Sequence, residues 1–352
     1  MSDDPIPGAL RLQAGICKAF GAPFHAAMME RLAADYEQGG PTRGLVEPWI
    51  GASARKLFDD AVPIRLANAF THLAMSGEAP ALAAAYPTEA NPAGDPDAAW
   101  GAARSAMTAH RDHLLAFMGH EPQTNEVRRS ACLLGGFLTV AAETGLPLRC
   151  FEIGASAGLN VLWDRFHYRL GAAEWGDPAS PVEIPTDWEG PLPPLEAKVE
   201  VAERAACDRR PTELTDPAQR RRLLACIWPG QFDRLARSRA AIDLALAGGT
   251  VVDEADALDW TRAKVRPEAG AATVLYHSIF WQYLPHETRE ALEAAILEIG
   301  DGATPEAPFA WLRMEPPMNN LATVELRLTL WPGGGERVLA EVHPHGAWVR
   351  WS

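Results

Sequence analysis

Apolar residues recur at helical spacing through the first 145 positions and gather into short runs after them. Phe24, Met28, Leu32 and Tyr36 follow one another four apart, which lines them along one helical face. Gly39-Gly40-Pro41 stops that helix. Ile64, Ala67, Phe70, Leu73 and Ala74 mark a second one. The four prolines of 80–96 predict a connector. A longer helix over 97–118 turns Trp100, Ala103, Met107 and Leu114 inward. Another over 125–144 carries Val127, Ala131, Leu134, Leu138 and Ala141, with Thr124 as its N-cap and Gly145-Leu146-Pro147 as its stop.

From residue 148 the texture changes. Runs rich in Val, Leu, Ile and Phe predict strands at 148–153, 198–202, 250–254, 273–277 and 309–314. Helical stretches at 159–166, 217–226, 232–246 and 287–299 fit between most of them. Parallel strands need such crossovers, so the alternation predicts a doubly wound α/β sheet. Strands at 325–331, 337–343 and 347–351 are joined by the turns Pro332-Gly333-Gly334-Gly335 and Pro344-His345-Gly346, which predict antiparallel hairpins. The segment 171–194 carries six prolines, with Trp175 and Trp188 embedded, and predicts a long loop. The expected architecture is a helical N-terminal region, 1–145, and an α/β domain, 146–352, with a proline-rich insertion at about 171–197. Its seven- or eight-stranded, mostly parallel Rossmann-like sheet ends in an antiparallel C-terminal edge. This order of strands resembles that of class I S-adenosylmethionine (SAM) methyltransferases.

Composition narrows the field. The 352 residues include 47% hydrophobic and 22% charged positions, enough for a sizeable core. A formal net charge of -14 opposes a phosphate-neutralising groove, so nucleic acid is not an expected partner. Arg209, Arg210, Arg220, Arg221 and Arg222 nevertheless fall close together. Met1-Ser2-Asp3-Asp4-Pro5 is acidic and lacks a signal-peptide profile, and no apolar run has a bilayer's length. Cys17, Cys132, Cys150, Cys207 and Cys226 are scattered without a Cys-x-x-Cys pair, which predicts reduced thiols, a cytoplasmic location and no metal site.

The densest chemical signal is Phe151-Glu152-Ile153-Gly154-Ala155-Ser156-Ala157-Gly158-Leu159-Asn160, an apolar strand ending in an acid, a small-residue turn and a helix start. Small residues let the backbone approach a ligand, and a helix start offers free N–H groups. The methyltransferase resemblance implies that Glu152, Gly154, Ser156, Gly158 and Asn160 wrap the methionine end of SAM. A dinucleotide fingerprint would need glycine where Ser156 and Leu159 stand. A serine-hydrolase elbow, Gly-x-Ser-x-Gly, fits Gly154–Gly158 letter for letter and would make Ser156 a nucleophile, with Asp256 or Asp259 and His277 or His343 downstream. It lacks the earlier strands that such an elbow follows.

Later strand ends supply further groups. Asp208, with Glu203 in reserve, is placed to accept both ribose hydroxyls. Asp256 and Ala257 follow the third strand, where methyltransferases contact the adenine amino group. His277 ends the fourth strand; it is either a general base, since imidazole titrates near neutrality, or a packing residue. Ser278, Trp281 and Tyr283 would line the acceptor pocket. The pair His343 and His345 with Glu341 reads as a turn, because no further ligands accompany it.

Nearly the whole chain resembles a bacterial family, the domain-of-unknown-function family 2332. The resemblance rests on Gln123-Thr124-Asn125-Glu126, Phe151–Asn160 with Trp163-Asp164-Arg165, Cys207-Asp208, Leu214-Thr215-Asp216-Pro217, Trp228-Pro229, His277-Ser278 with Trp281-Gln282-Tyr283, Trp311-Leu312-Arg313-Met314-Glu315 and His343-Pro344-His345-Gly346. It implies a methyltransferase-like fold, in which Asn125, Glu126 and Arg129 cap the cofactor; helix capping is the alternative. The expected function is a SAM-dependent methyltransferase with a small-molecule acceptor. A degenerate methyltransferase fold that only binds, and a hydrolase using Ser156, are the alternatives.

Overall fold

The computed structural model describes residues 4–317 and 323–352. Met1-Ser2-Asp3, on which part of the signal-peptide reading rests, lies outside them. In chain order the helices begin with α1 (Ile6–Ala19), α2 (Pro23–Glu37), α3 (Thr42–Leu45) and α4 (Ala54–Asp59). They continue with α5 (Val62–Ser76), α6 (Pro80–Ala85), α7 (Pro96–Ala109), α8 (Arg111–Met118) and α9 (Arg129–Thr144). Then come β1 (Leu148–Ile153), β2 (His167–Leu170), β3 (Ala173–Trp175), β4 (Glu183–Glu189) and β5 (Val201–Asp208). Next are α10 (Pro217–Ala225), α11 (Phe232–Gly248), β6 (Asp253–Glu254), α12 (Ala257–Lys264), β7 (Ala272–Ser278) and α13 (His286–Asp301). The strands β8 (Phe309–Glu315), β9 (Val324–Trp331), β10 (Glu336–Val342) and β11 (Trp348–Trp351) complete the series.

Two compact units result. One comprises residues 1–124 and 215–236, the other residues 125–214 and 237–352. The expected division at 145/146 falls after α9, whereas the units divide before it. The reason is burial: Ala131 to Ala141 are buried, and α9 packs on β7, β8 and β9 of its own unit. The first unit is helical, with a core that includes Leu32, Leu66, Phe70 and Leu114. The connector expected at 80–96 contains α6, and the helix expected at 97–118 is broken at His110 into α7 and α8.

The second unit holds an eleven-stranded sheet of order β3-β2-β4-β11-β10-β9-β8-β7-β1-β5-β6. The block β6-β5-β1-β7-β8 is parallel, as expected. The pairs β8–β9, β9–β10 and β10–β11 are antiparallel. These strands are not an edge, which corrects the sequence reading. The segment 171–194 is not a loop either: β4 pairs with β11 in parallel and carries β2 and β3 outward. Its prolines hid the strands; in β4, Ile184, Thr186 and Trp188 face one side while Glu183, Pro185, Asp187 and Glu189 face the other. Two further boundaries move. The second parallel strand begins at Val201, not 198, and runs to Asp208, while the third shrinks to Asp253–Glu254. No helix among the described residues is long and apolar enough to cross a membrane.

Candidate site at the carboxyl ends of the parallel strands

All six residues of β1 are buried between β5 and β7. From β1 the chain moves outward through β5 to β6, then returns to build β7 and β8 on the other side. The direction of winding therefore reverses between β1 and β7. In open α/β sheets that reversal leaves a crevice at the carboxyl ends of the strands, where ligands bind.

Glu152 stands at this point with 2% of its surface exposed. The Tyr276 hydroxyl donates to its Oε2 at 3.4 Å. Burial pushes the Glu152 carboxyl up to about 8; the Tyr276 hydrogen bond and the Arg129 charge pull it down, and the Asp208 charge pushes it up. Glu152 is thus a largely protonated acid at neutral pH, able to donate as well as accept.

The turn after β1 uses left-handed backbone at Gly154 (φ 70°), Ser156 (φ 56°) and Gly158 (φ 70°). Ser156 is held there against its preference. Its N–H donates to Asp208 Oδ2 at 2.8 Å, and its carbonyl accepts from the Thr212 N–H at 3.1 Å. The neighbouring Ala155 N–H donates to the Cys207 carbonyl. Asp208 also accepts from the Arg210 N–H at 2.8 Å. The carboxylate expected to hold a ribose is therefore pinning the turn as well. The Ser156 Oγ is buried and has no hydrogen-bond partner.

Past Gly158 the expected α-helix is a 3₁₀ helix, Leu159–Arg165. Asn125 does not cap α9, which starts four residues later. Its Oδ1 accepts from the Leu159 N–H at 2.9 Å, so it caps this turn instead. The Asn160 Nδ2 donates to the Glu126 carbonyl at 3.3 Å, while its Oδ1 is buried without a partner. Arg129 reaches two ways: Nε donates to the Pro344 carbonyl at 2.9 Å and Nη1 to the Ser278 carbonyl at 3.4 Å. Asn125, Glu126, Arg129, Glu152, Ser156, Asn160, Asp208 and Ser278 are accordingly joined in one region.

The remaining expected residues are placed differently. His277 is fully buried. Its Nδ1 lies 2.7 Å from Glu315 Oε1, and its Nε2 accepts from Trp311 Nε1 at 3.1 Å. Both nitrogens are engaged by protein, which leaves none for a substrate. Trp281 stacks on His277 with ring centroids 5.2 Å apart, and Tyr283 is 75% exposed. Asp256 caps α12, accepting from the Leu258 and Asp259 N–H groups at 2.9 and 3.4 Å. Ala257 is buried with Phe151, Cys207 and Trp260.

Three contributors escaped the sequence reading. Glu315 Oε1 accepts from the Phe280 N–H at 2.9 Å and the Trp281 N–H at 3.3 Å besides facing His277. It thereby clasps the turn after β7, where Ile279 is left-handed (φ 49°). The Phe280 ring lies on Gly154 so closely that a Cβ there would overlap it. The turn His343–Gly346 is tied by Arg129 to Pro344, by the Thr186 hydroxyl to the Gly346 carbonyl, and by contact of Gly346 with the Arg128 carbonyl. Glu315 had a visible signal, an acid at a strand end like Glu152 and Asp208. The His343 turn was visible as a turn and as one of the stretches that carry the family resemblance, but its place at the site was not; Phe280 had no signal, since its role comes from Gly154, more than 100 positions away.

Fold and site together define an α/β protein with acids and a tight left-handed turn at the carboxyl ends of its central strands. The chain belongs to the family described as uncharacterized protein conserved in bacteria (DUF2332), which matches residues 8–351. No curated protein and no solved structure matches it.

Proposed function

We propose that the protein is a SAM-dependent methyltransferase acting on a small molecule, with the cofactor at the carboxyl ends of β1, β5, β6 and β7. The observation that carries this reading is the buried acid Glu152 at the winding reversal, beside a turn whose shape Asp208 maintains. The parallel block runs third-second-first-fourth-fifth in chain order, the doubly wound order that serves nucleotide ligands. Ser156 and Leu159 replace two fingerprint glycines, which favours SAM over a dinucleotide. Glu152 would meet the methionine ammonium, Gly154 and Gly158 the backbone of that moiety, Asp208 the ribose, and Asp256 with Ala257 the adenine. Asn125, Glu126 and Arg129 would close the site, and Ser278 would face the acceptor. Five unpaired, buried cysteines suit a reducing cytoplasm.

Two observations favour a second reading, a methyltransferase-like fold that binds without catalysing. Phe280 occupies the face of Gly154, and His277, the expected base, is sealed. A serine hydrolase is favoured by neither, because the Ser156 hydroxyl is hydrogen-bonded to no base.

Isothermal titration with SAM and S-adenosylhomocysteine separates the readings. Binding of an ammonium at Glu152 requires its carboxylate, so the heat at neutral pH should vary with the buffer's ionisation enthalpy as a proton leaves. Folded protein that gives no heat at millimolar ligand would remove SAM and leave the second reading.

A further inference from the structure

The segment that follows β7 covers part of the site, and little holds it there. Ser278 still pairs in the sheet, beside Met314. Ile279 then turns left-handed at φ 49°, a conformation that a β-branched residue resists. Trp281–Tyr283 form a short 3₁₀ turn. The Tyr283 N–H donates to the Phe280 carbonyl and the Leu284 N–H to the Trp281 carbonyl. Residues 280–284 are therefore a small body with its own hydrogen bonds, joined to the sheet through a strained residue.

Two rings seat that body on the site. Phe280 fills the space beside Gly154, with its Cδ2 2.2 Å from where a Cβ would stand. Trp281 stacks on His277, ring centroids 5.2 Å apart, and meets Trp311 at 5.5 Å. The tip is free of such contacts: Gln282 and Tyr283 are exposed.

Among the described residues, two hydrogen bonds tie 280–284 to the rest of the chain. The Phe280 and Trp281 N–H groups both donate to Glu315 Oε1, which His277 Nδ1 also shares. The other oxygen, Oε2, is buried with no hydrogen-bond partner. Arg313, two residues back on the same face of β8, bonds Glu336 instead. Leaving a buried carboxylate oxygen unsatisfied costs free energy that solvent would return. Breaking this latch exchanges two shared bonds for a hydrated carboxylate and relief of the strain at Ile279.

We propose that residues 279–284 are a lid, hinged at Ile279 and latched on Glu315, which opens as one body to lift Phe280 from Gly154 and Trp281 from His277. Closed, it leaves no room for a ligand against Gly154. Open, it uncovers that glycine and one face of the His277 ring. The lid's purpose, to admit the nucleoside, rests on the proposed function. The motion does not, because every contact that defines it lies within the chain.

Native-state hydrogen exchange of the full chain, in urea below the unfolding transition, tests the lid. The Phe280 and Trp281 amides should share one opening constant, at least a hundredfold larger than that of the Leu275 and Tyr276 amides of β7 and less dependent on urea. Trp281→Ala removes the ring from His277. It should speed exchange at Phe280 tenfold or more, and by the same factor at residue 281, because the body moves together. Should that variant fail to fold, Phe280→Ala is read at Trp281 in the same way. Tyr283→Ala, at an exposed ring, should change neither amide. Different opening constants for the two amides, or constants that match those of β7, overturn the lid. S-adenosylhomocysteine added to the same experiment reads the proposed function separately. A nucleoside lying against Gly154 has to displace Phe280 and should raise exchange at both amides. No change, with the opening of the free protein intact, fails the methyltransferase reading and leaves the lid standing.

Discussion

The ring of Phe280 fills the space where Gly154 would carry a side chain, so the turn after β7 and the turn after β1 are fitted to each other. Gly154→Ala faces two penalties, a left-handed backbone at φ 70° and overlap with that ring. Together they should cost about 2–4 kcal/mol of stability in urea unfolding. In a Phe280→Ala background only the backbone penalty remains. A double-mutant cycle should therefore show coupling of about 1 kcal/mol or more. Additive effects would mean that the ring does not rest on the glycine.

Glu152 makes stability depend on pH with a definite sign. Its folded carboxyl is pushed up to about 8 from an ordinary 4.5. Between those values the folded state holds a proton that the unfolded state has released. Stability at this site is therefore full below about 4.5 and falls as pH rises towards 8. Glu152→Gln removes the titration. The variant should gain on the wild type by about 2–4 kcal/mol between pH 5 and 8.5, measured by denaturant unfolding. Curves that stay parallel over that range would show that Glu152 is ionised throughout.

Glu315→Ala leaves the His277 Nδ1 and two backbone N–H groups without their acceptor. A loss of about 2–4 kcal/mol is expected. Glu315→Gln keeps an accepting oxygen and should lose less than half as much. Hydrogen exchange at Phe280 and Trp281 gives the local readout: protection should fall in the alanine variant first.

Ser156 tests the hydrolase alternative and the strain together. Its hydroxyl is buried and unpartnered, so Ser156→Ala should change stability by no more than about 0.5 kcal/mol for the worse. Ser156→Gly relieves the positive φ and should stabilise by roughly 0.5–1 kcal/mol. A fluorophosphonate probe should leave the wild type unlabelled. Labelling that vanishes in Ser156→Ala would replace the methyltransferase proposal.

Much of the α/β unit is legible in the sequence because its central strands are buried on both faces. Val274 to Tyr276 and Phe309 to Leu312 read as continuous apolar runs for that reason. The strands β2, β3 and β4 were not: β2 and β3 are only four and three residues long, Pro185 and exposed acids interrupt β4, and the pairing partner of β4, β11, is remote in sequence. At the site, Glu152, Asp208 and the glycines stand at a strand end or in the turn that follows it, which periodicity can locate. His277 is at a strand end too, yet its surroundings come from Trp311 and Glu315 on another strand, so position alone could not tell a sealed imidazole from a base.

The pairing of β4 with β11 sets an order of events at the ribosome. Glu189 and Arg350, bonded across that pair, are 161 residues apart. The residues of β2, β3 and β4 emerge near the middle of synthesis, but β4, through which they join the sheet, has its partner only after β11 has been made. Until then an exposed strand edge waits on the nascent chain. Its alternating acids, Glu183, Asp187 and Glu189, are well suited to keep that edge from joining a neighbour on the same polysome.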